Sequence, residues 1–372
     1  MLGSKAWESS QLRKEGKVDF LLSVSTARRI RAKYSKYESE NGGLFYELPE
    51  TSEDGSWKGR WRIYLEAQKL FWKGEYTQFL CGYGDYYLIF LPLIKLLRPS
   101  CRITCLYFRP LIHYRKMGYS VGEKAGQERG KWAALWKDIL LLILLRIKLI
   151  SSVAFQDEGA VEWYLSWRTD TIFFPAPPSN PCHRLAEKES SLRMGFLLFG
   201  AISARKGVYE VLRGFSALSL KMKGRVALKI VGRFDPRDEA TLLTKIDEAK
   251  KDGVQVTSEN RFIDQNEIAG LYEESDVILL LYQGLVVGGS GVLVQAAAMG
   301  RPVLASKTGW CGKAVEKYQL GATLPDQHWG SVCSAVERFV AGGVRYGKEG
   351  AAQFAALNSA EKYGEAMVRL IS

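Results

Sequence analysis

Two short stretches of this chain hold residues suited to binding an anion. The first is the glycine-rich segment 288–291, which directly precedes a predicted helix. There Gly289, Ser290 and Gly291 offer backbone N–H groups at the positive end of the helix dipole, and such a place suits a phosphate. The same letters also fit a tight turn that only lets the helix pack closely on a sheet.

The second stretch is the loop 200–207, which begins at Gly200 and ends before a helix predicted from residue 208. Arg205 and Lys206 stand at the N-terminus of that helix, where two cations are useful for holding a diphosphate. Arg233 follows the next predicted strand, residues 227–232, and can take part in the same binding. An ordinary turn with solvated cations is the alternative for this loop.

A third group lies in the N-terminal half of the chain. His113 comes shortly after a predicted strand over residues 101–109, with Arg109 and Arg115 on either side. Loops at the carboxyl ends of parallel strands are where ligands bind in open α/β sheets. There a histidine can hydrogen-bond an acceptor hydroxyl or a donor sugar, and the arginines can meet a phosphate or carboxylate. A surface histidine in a basic loop fits the same pattern.

The elements around these residues follow a repeated order of strand, loop and helix. Residues 277–282 form a predicted buried strand, followed by the glycine-rich turn, a helix over 292–299 and a second buried strand over 302–306. The N-terminal half repeats the order, with a helix over 60–73 and another over 88–98. This repetition predicts an α/β protein with two parallel sheets.

Length and the distribution of prolines predict the domain organisation. A chain of 372 residues is long enough for two domains. Four prolines between Pro175 and Pro181 indicate a stiff linker. The predicted domains are therefore 1–184 and 185–350, with a C-terminal helix over 351–372 that packs back toward the first domain.

Charge and cysteine usage limit the function classes. A net charge of +12 predicts a negatively charged partner: nucleic acid, anionic lipid or a phosphorylated substrate. No compact basic and aromatic module is visible, so no nucleic-acid partner is predicted. Six cysteines without a CxxC pair, and three histidines, give no metal-ligand spacing. These features, and an N-terminus without a signal-like apolar segment, predict a cytoplasmic protein without a metal.

The most hydrophobic segment, residues 131–150, bears on membrane contact. Its unbroken apolar run, 139–145, is far shorter than the ~20 residues that cross a bilayer. Tryptophans and cations at its flanks fit either an interfacial helix or a core helix with snorkelling ends. Peripheral contact with the inner face of an anionic membrane therefore stays open as an alternative.

Several motifs of the second half resemble a known family. The run SGVLVQAAAMGRPVLAS at 290–306, with FLLFGAISARKGVYEVL at 196–212 and ALKIVGR at 227–233, resembles nucleotide-sugar-dependent glycosyltransferases of the GT-B type, close to glycosyltransferase family 4. The resemblance covers about 180 residues. It implies two Rossmann-like parallel-sheet domains facing each other across a cleft, and transfer of a sugar from a nucleoside-diphosphate sugar to a glycan or lipid-linked acceptor.

The resemblance also implies roles for individual residues. Lys206 stands where the family grips the donor diphosphate, and His113 is the candidate acceptor-side group, so both are predicted to be catalytic. Two glutamates of the family, eight positions apart, are replaced here by Val287 and Gln295. Gln295 can still bind a ribose hydroxyl, whereas Val287 cannot act as a carboxylate.

The resemblance further implies a transferase that retains anomeric configuration and uses neither metal nor cofactor, with the nucleotide sugar as its donor substrate. A catalytically weak or inactive GT-B binding or scaffold protein is the alternative function.

Overall fold

The computed structural model describes most of the chain, with gaps. The described residues are 20–23, 28, 45–48, 57–74, 76–108, 110, 112–113, 128–167, 169–176, 192–283, 289–326 and 328–371. They divide into two compact units. Of the described residues, unit 1 comprises those up to His113, 129–175 and those from 360 onward, and unit 2 comprises Glu128 and those within 176–359. The predicted domain boundary at 184/185 lies outside the described residues.

Unit 1 contains a parallel sheet of four strands in the order β3-β4-β5-β6 and a separate parallel pair, β1-β2. Its strands are β1 Phe20–Ser23, β2 Phe45–Leu48, β3 Gln78–Cys81, β4 Arg102–Leu106, β5 Ser152–Phe155 and β6 Thr171–Phe173. The described helices before residue 176 are α1 Trp57–Lys73, α2 Gly84–Tyr87, α3 Leu91–Leu97, α4 Glu128–Arg146 and α5 Glu158–Leu165.

Two neighbouring strands of unit 1, β4 and β5, are almost fully buried because helices cover the sheet. All four residues of β5 are buried, which is typical of a parallel strand covered on both faces. Leu141, Leu144 and Leu145 of α4 pack into the same core as Val153. The core-helix interpretation of the segment 131–150 is thus correct for these leucines. No helix within the described residues combines the length and the apolarity needed to cross a bilayer.

Unit 2 is a six-stranded parallel sheet with helices between its strands. The strands are β7 Met194–Phe199, β8 Val226–Val231, β9 Val256–Glu259, β10 Val277–Leu280, β11 Val303–Ser306 and β12 Gly321–Leu324. The helices are α6 Val208–Ser216, α7 Leu220–Lys223, α8 Glu239–Lys251, α9 Gln265–Glu273, α10 Gly291–Ala298, α11 Gly309–Lys317, α12 Trp329–Val340 and α13 Lys348–Leu357.

The strand order of unit 2 is β12-β11-β10-β7-β8-β9, so the chain starts in the middle of the sheet. It moves outward to β9 and then returns to β10 on the other side of β7. The order of connections therefore reverses between β7 and β10, and ligands of doubly wound sheets bind in the crevice at such a switch point. The predicted class, α/β with two Rossmann-like parallel-sheet domains, is confirmed.

The last helix, α14 (Ala360–Ile371), belongs to unit 1. Tyr363, Ala366, Met367 and Leu370 recur at helical spacing and pack against a cluster that includes Phe174. Two helices, α13 and α14, thus occupy the region where the sequence predicts one helix over 351–372.

Two elements differ from the sequence prediction for a clear physical reason. The helix predicted over 88–98 begins only at Leu91, because Pro92 occupies its first turn and a proline favours the start of a helix over its interior. Between α13 and α14 the chain passes Asn358, whose buried amide oxygen accepts from Ala176 N at 3.0 Å. This bond fixes the end of α13 beside residue 176.

Candidate functional site

The loops after β7 and β10 meet at the switch point of unit 2. Gly207 has a φ of 69°, and a Cβ added there would overlap the carbonyl oxygen of Leu281. Gln283 N donates to the carbonyl of Arg205 at 2.7 Å. Only glycine tolerates both the left-handed backbone and this close approach. The loop 200–207 is therefore held directly on the carboxyl end of β10.

The loop after β8 joins the same edge. A Cβ at Gly232 would overlap the carbonyl oxygen of Gly200, and these glycines have φ values of 137° and 111°. Ile202 N donates to the carbonyl of Arg233 at 2.8 Å. Gly200 and the backbone of Arg233 are therefore brought together, while the side chain of Arg233 is exposed.

Lys206 ends the 3₁₀ turn Ala204–Lys206 and is buried, with only 5% of the residue exposed. Its ammonium donates to the carbonyl of Phe199 at 2.7 Å and lies 5.3 Å from the centre of the Tyr282 ring. Burial, with the nearby charge of Arg205, lowers the pKa of Lys206 to about 8. No carboxylate among the described residues forms an ion pair with this ammonium.

Tyr282 connects the cations to the start of α10. The Arg205 guanidinium lies 5.6 Å from the centre of the same ring, so two cations flank one aromatic side chain. The Tyr282 hydroxyl shares a hydrogen bond of 3.0 Å with Ser290 Oγ. Ser306 Oγ donates to the Tyr282 carbonyl at 3.0 Å. Burial raises the pKa of Tyr282 to about 12, so the ring stays neutral.

Ser290 caps the N-terminus of α10. Its Oγ accepts from Leu293 N at 3.4 Å, and the thiol of Cys311 lies within hydrogen-bonding reach of Ser290. Burial raises the pKa of Cys311 to about 12. The position where a Cβ of Gly291 would stand opens on free space. The first turn of α10 thus begins beside Tyr282, whose ring also lies near the buried ammonium of Lys206.

Gln295 lies further along α10 and is only 2% exposed. Its amide nitrogen lies 3.2 Å from the sulfur of Met299 as a hydrogen-bond donor. Val287, at the other position where the family carries a glutamate, lies outside the described residues. The role of Gln295 at a ribose hydroxyl stays a prediction.

The acceptor-side histidine lies in unit 1 and is 4% exposed, so the surface-histidine interpretation is wrong. His113 Nε2 lies 3.6 Å from Asp157 Oδ2. Asp157 follows β5 and caps α5 by accepting from Gly159 N at 2.9 Å. Arg109 and Arg115, the other predicted acceptor-side residues, lie outside the described residues.

Two buried carboxylates hold the segment that leads to His113. Asp138, fully buried on α4, accepts from the Tyr107 hydroxyl at 2.7 Å and from Ile112 N at 2.7 Å. Asp85 accepts from Phe108 N at 2.8 Å. Sequence reasoning missed these residues and Asp157. A carboxylate between a buried strand and a helix, as at Asp157, is the helix-capping signal that could have found one of them.

The described residues contain no grouping of three histidine, cysteine or acidic side chains able to hold a metal. In unit 2 the described groups at the switch point include cations, backbone amides and hydroxyls, together with Asp238, which accepts from Ala204 N at 3.3 Å. The cations, amides and hydroxyls suit the oxygens of a phosphorylated ligand.

The chain thus has two units that each contain a parallel sheet, and its fold matches that of known GT-B glycosyltransferase structures. WaaG, a glycosyltransferase of lipopolysaccharide biosynthesis, is 12% identical with a TM-score of 0.58 over 96% of this chain and 99% of that one. Anabaena Alr3699/HepE, in complex with UDP and glucose, is 12% identical with a TM-score of 0.58 over 95% of this chain and 98% of that one. A UDP-forming α,α-trehalose-phosphate synthase from Burkholderia xenovorans is 10% identical with a TM-score of 0.61 over 88% of this chain and 87% of that one.

Sequence comparison found one known family that is similar to part of unit 2. Residues 193–342 match the family described as Glycosyl transferases group 1. The predicted resemblance to GT-B glycosyltransferases is therefore confirmed. A search of curated protein sequences gave no match.

Proposed function

We propose that this protein is a glycosyltransferase that moves a sugar from a nucleoside-diphosphate sugar to a hydroxyl of a glycan or lipid-linked acceptor. The observation that carries the proposal is the ammonium of Lys206. It is buried at the switch point, donates to one backbone carbonyl and has no carboxylate partner among the described residues. A buried cation is costly without an anion, and a diphosphate would supply the missing charge.

Cations and amides at the switch point, and His113 of unit 1, have separate parts in this proposed reaction. When the bond from the sugar carbon to the diphosphate oxygen breaks, negative charge develops on the departing diphosphate. Lys206, Arg205 and the amide groups at the start of α10 stabilise that charge. The acceptor oxygen forms the new bond to the sugar carbon, and its proton passes to a base. His113 is the proposed acceptor-side group, held opposite Asp157.

Retention of configuration and independence from metal ions are part of the same proposal. The positive groups of the site are protein cations, which can carry out the charge stabilisation that a divalent metal performs elsewhere. An activity unchanged by EDTA supports this part of the proposal, and loss of activity restored by Mg²⁺ or Mn²⁺ contradicts it.

Titration calorimetry with uridine, guanosine, adenosine and thymidine diphosphates tests the donor site directly. UDP is the first choice, because two proteins of similar fold are described with UDP or as UDP-forming. The proposal is supported if one nucleoside diphosphate binds and the corresponding nucleoside-diphosphate sugar competes with it. Absence of binding to all four overturns it.

A GT-B protein without turnover is the second candidate function, and Gln295 is the observation that favours it. The side chain is buried against Met299, at a position where family 4 enzymes carry a glutamate. This candidate is supported if the protein binds a nucleotide sugar but forms no product and releases no diphosphate in the presence of glycan and lipid acceptors.

A further inference from the structure

Exposed apolar side chains are concentrated in unit 1. Among the described residues, fourteen of the eighteen large hydrophobic side chains that are exposed belong to unit 1 and four to unit 2. Unit 2 has more described residues, so the difference is a property of unit 1 and not of the surface in general. Concentrations of this kind mark interaction sites.

Helix α1 organises the most regular of these side chains. Trp57, Trp61, Leu65 and Trp72 are exposed and fall within an arc of about 80° on the helix, at 100° per residue. Lys58, Arg62, Lys69 and Lys73 occupy the adjacent arc. These eight residues form a surface, called here the α1 face, in which an apolar stripe runs beside a basic stripe.

The opposite side of α1 anchors this face. Tyr64, Ala67 and Phe71 are buried in unit 1. Trp57 and Trp61 rest against Phe90, with ring centres 5.1 and 5.8 Å apart. Because one side of each indole packs on protein while the rest is exposed, the two tryptophans are held in place before any partner binds.

The neighbourhood of the α1 face adds cations and apolar surface. Arg60 lies 5.5 Å and Lys137 of α4 lies 5.9 Å from the centre of the Tyr86 ring. Ile89, the residue before Phe90, is exposed. Apolar and basic groups thus continue from α1 onto the segment between α2 and α3.

Charge selects the kind of partner. Helix α1 carries five cations and one carboxylate, Glu66, which pairs with Lys69 at 2.7 Å. Two copies of such a face would bring like charges together. Exposed leucine and isoleucine beside tryptophan and lysine instead match the boundary of a bilayer, where indoles lie at the headgroup level and cations meet anionic lipid.

We propose that the α1 face binds the surface of an anionic lipid bilayer as a peripheral contact. It does so without the nucleotide site, which lies in unit 2, so the two proposals can fail separately. The contact differs from the one that the sequence left open at residues 131–150, since α4 buries Leu141, Leu144 and Leu145 in the core.

Co-sedimentation of the full chain with vesicles tests the contact. We expect binding to phosphatidylcholine vesicles with 30 mol% phosphatidylglycerol, much weaker binding to pure phosphatidylcholine, and a decrease with added salt. Lys58→Glu with Arg62→Glu should lower the partition coefficient about tenfold or more, since each surface cation contributes to attraction by anionic lipid. Trp72→Ser, at a residue 74% exposed, should lower it through lost apolar burial.

A matched control exists in unit 2. Phe262 is 70% exposed and adjoins the cation Arg261, so Phe262→Ser removes an equally exposed aromatic side chain outside the α1 face. This variant should bind vesicles as the wild type does. Equal effects of Trp72→Ser and Phe262→Ser, or unchanged binding in the charge-reversed variant with an unchanged melting temperature, overturn the proposal. The proposal is also overturned if sedimentation velocity shows a wild-type dimer that Trp72→Ser converts to a monomer. Loss of UDP binding alone contradicts only the proposed function.

Discussion

The ammonium of Lys206 lies over the ring of Tyr282, with its nitrogen 5.3 Å from the ring centre. Lys206 belongs to the loop after β7 and Tyr282 to the segment that follows β10, so the contact spans the switch point of the sheet. The ring also meets Arg205 and is fixed through its hydroxyl to Ser290. Tyr282 is therefore the side chain that connects both proposed phosphate-binding elements.

Replacing Lys206 tests whether its ammonium binds a diphosphate. Lys206→Met should weaken UDP binding by about 1.5–3 kcal/mol, the usual contribution of a hydrogen bond to a charged group. Titration calorimetry measures the change. Lys223→Met is the matched control, because Lys223 is also buried and donates to one backbone carbonyl, that of Asp252, at 2.7 Å. It lies on α7, before the start of β8, and should leave UDP affinity unchanged.

An equal loss of affinity in both lysine variants would indicate that damage to the fold, and not loss of a phosphate contact, weakens binding. A change below about threefold for Lys206→Met would mean that Lys206 only closes its own turn.

The lowered pKa of Lys206 predicts a pH dependence of nucleotide binding. The pKa is about 8 in the free protein, and a bound diphosphate favours the charged ammonium. UDP affinity should therefore be constant below pH 8 and fall as the pH rises above it, at most tenfold per unit. Calorimetry from pH 6.5 to 9.5 at fixed ionic strength gives the profile, and Lys206→Met should flatten it.

The sign of the linked stability change is opposite. Because the folded pKa of about 8 lies below the unfolded value of ~10.4, burial of the charged ammonium costs stability below pH 8. That cost is relieved as the pH rises from 8 toward 10.4. The difference in melting temperature between the wild type and Lys206→Met should therefore change across this range, and a constant difference contradicts the lowered pKa.

Sequence patterns predicted the backbone of the site better than its side chains. The loop 200–207, the two strands and the start of α10 could be predicted because turn residues and apolar runs are local signals. The packing of Tyr282 on Lys206 could not be predicted, since the two residues are far apart in sequence. Asp138 is likewise 31 positions from Tyr107, and nothing local indicates their bond.

Gln295 distinguishes a ribose contact from a packing position. Gln295→Met keeps the length of the side chain and removes the amide oxygen and nitrogen, so a packed position should keep its melting temperature. If the amide binds the ribose, UDP affinity should fall about five- to tenfold, the equivalent of one neutral hydrogen bond. Gln295→Glu should melt several degrees lower without nucleotide, because a carboxylate at a site 2% exposed is poorly solvated.

Nucleotide-dependent melting completes that comparison. A ribose contact predicts that UDP stabilises Gln295→Glu at least as much as the wild type, since a carboxylate accepts hydroxyl bonds more strongly than an amide does. Unchanged affinity in Gln295→Met, with no gain from UDP in Gln295→Glu, counts against the contact and favours the protein without turnover.

Gly207 tests whether the close approach of two loops builds the switch-point site. Gly342 is a matched control, because its φ of 70° equals the 69° of Gly207 but nothing lies within 4 Å of its missing Cβ. Gly342→Ala should cost only the left-handed backbone penalty, about 1–2 kcal/mol. Gly207→Ala adds an overlap with the carbonyl of Leu281 and should lower the melting temperature at least twice as much.

Gly207→Ala should also weaken UDP binding, because Arg205 and Lys206 must move with the loop, whereas Gly342→Ala should bind UDP normally. Similar losses of stability in the two variants would mean that the loop has room to shift, and unchanged UDP affinity in Gly207→Ala would separate the loop from the nucleotide site.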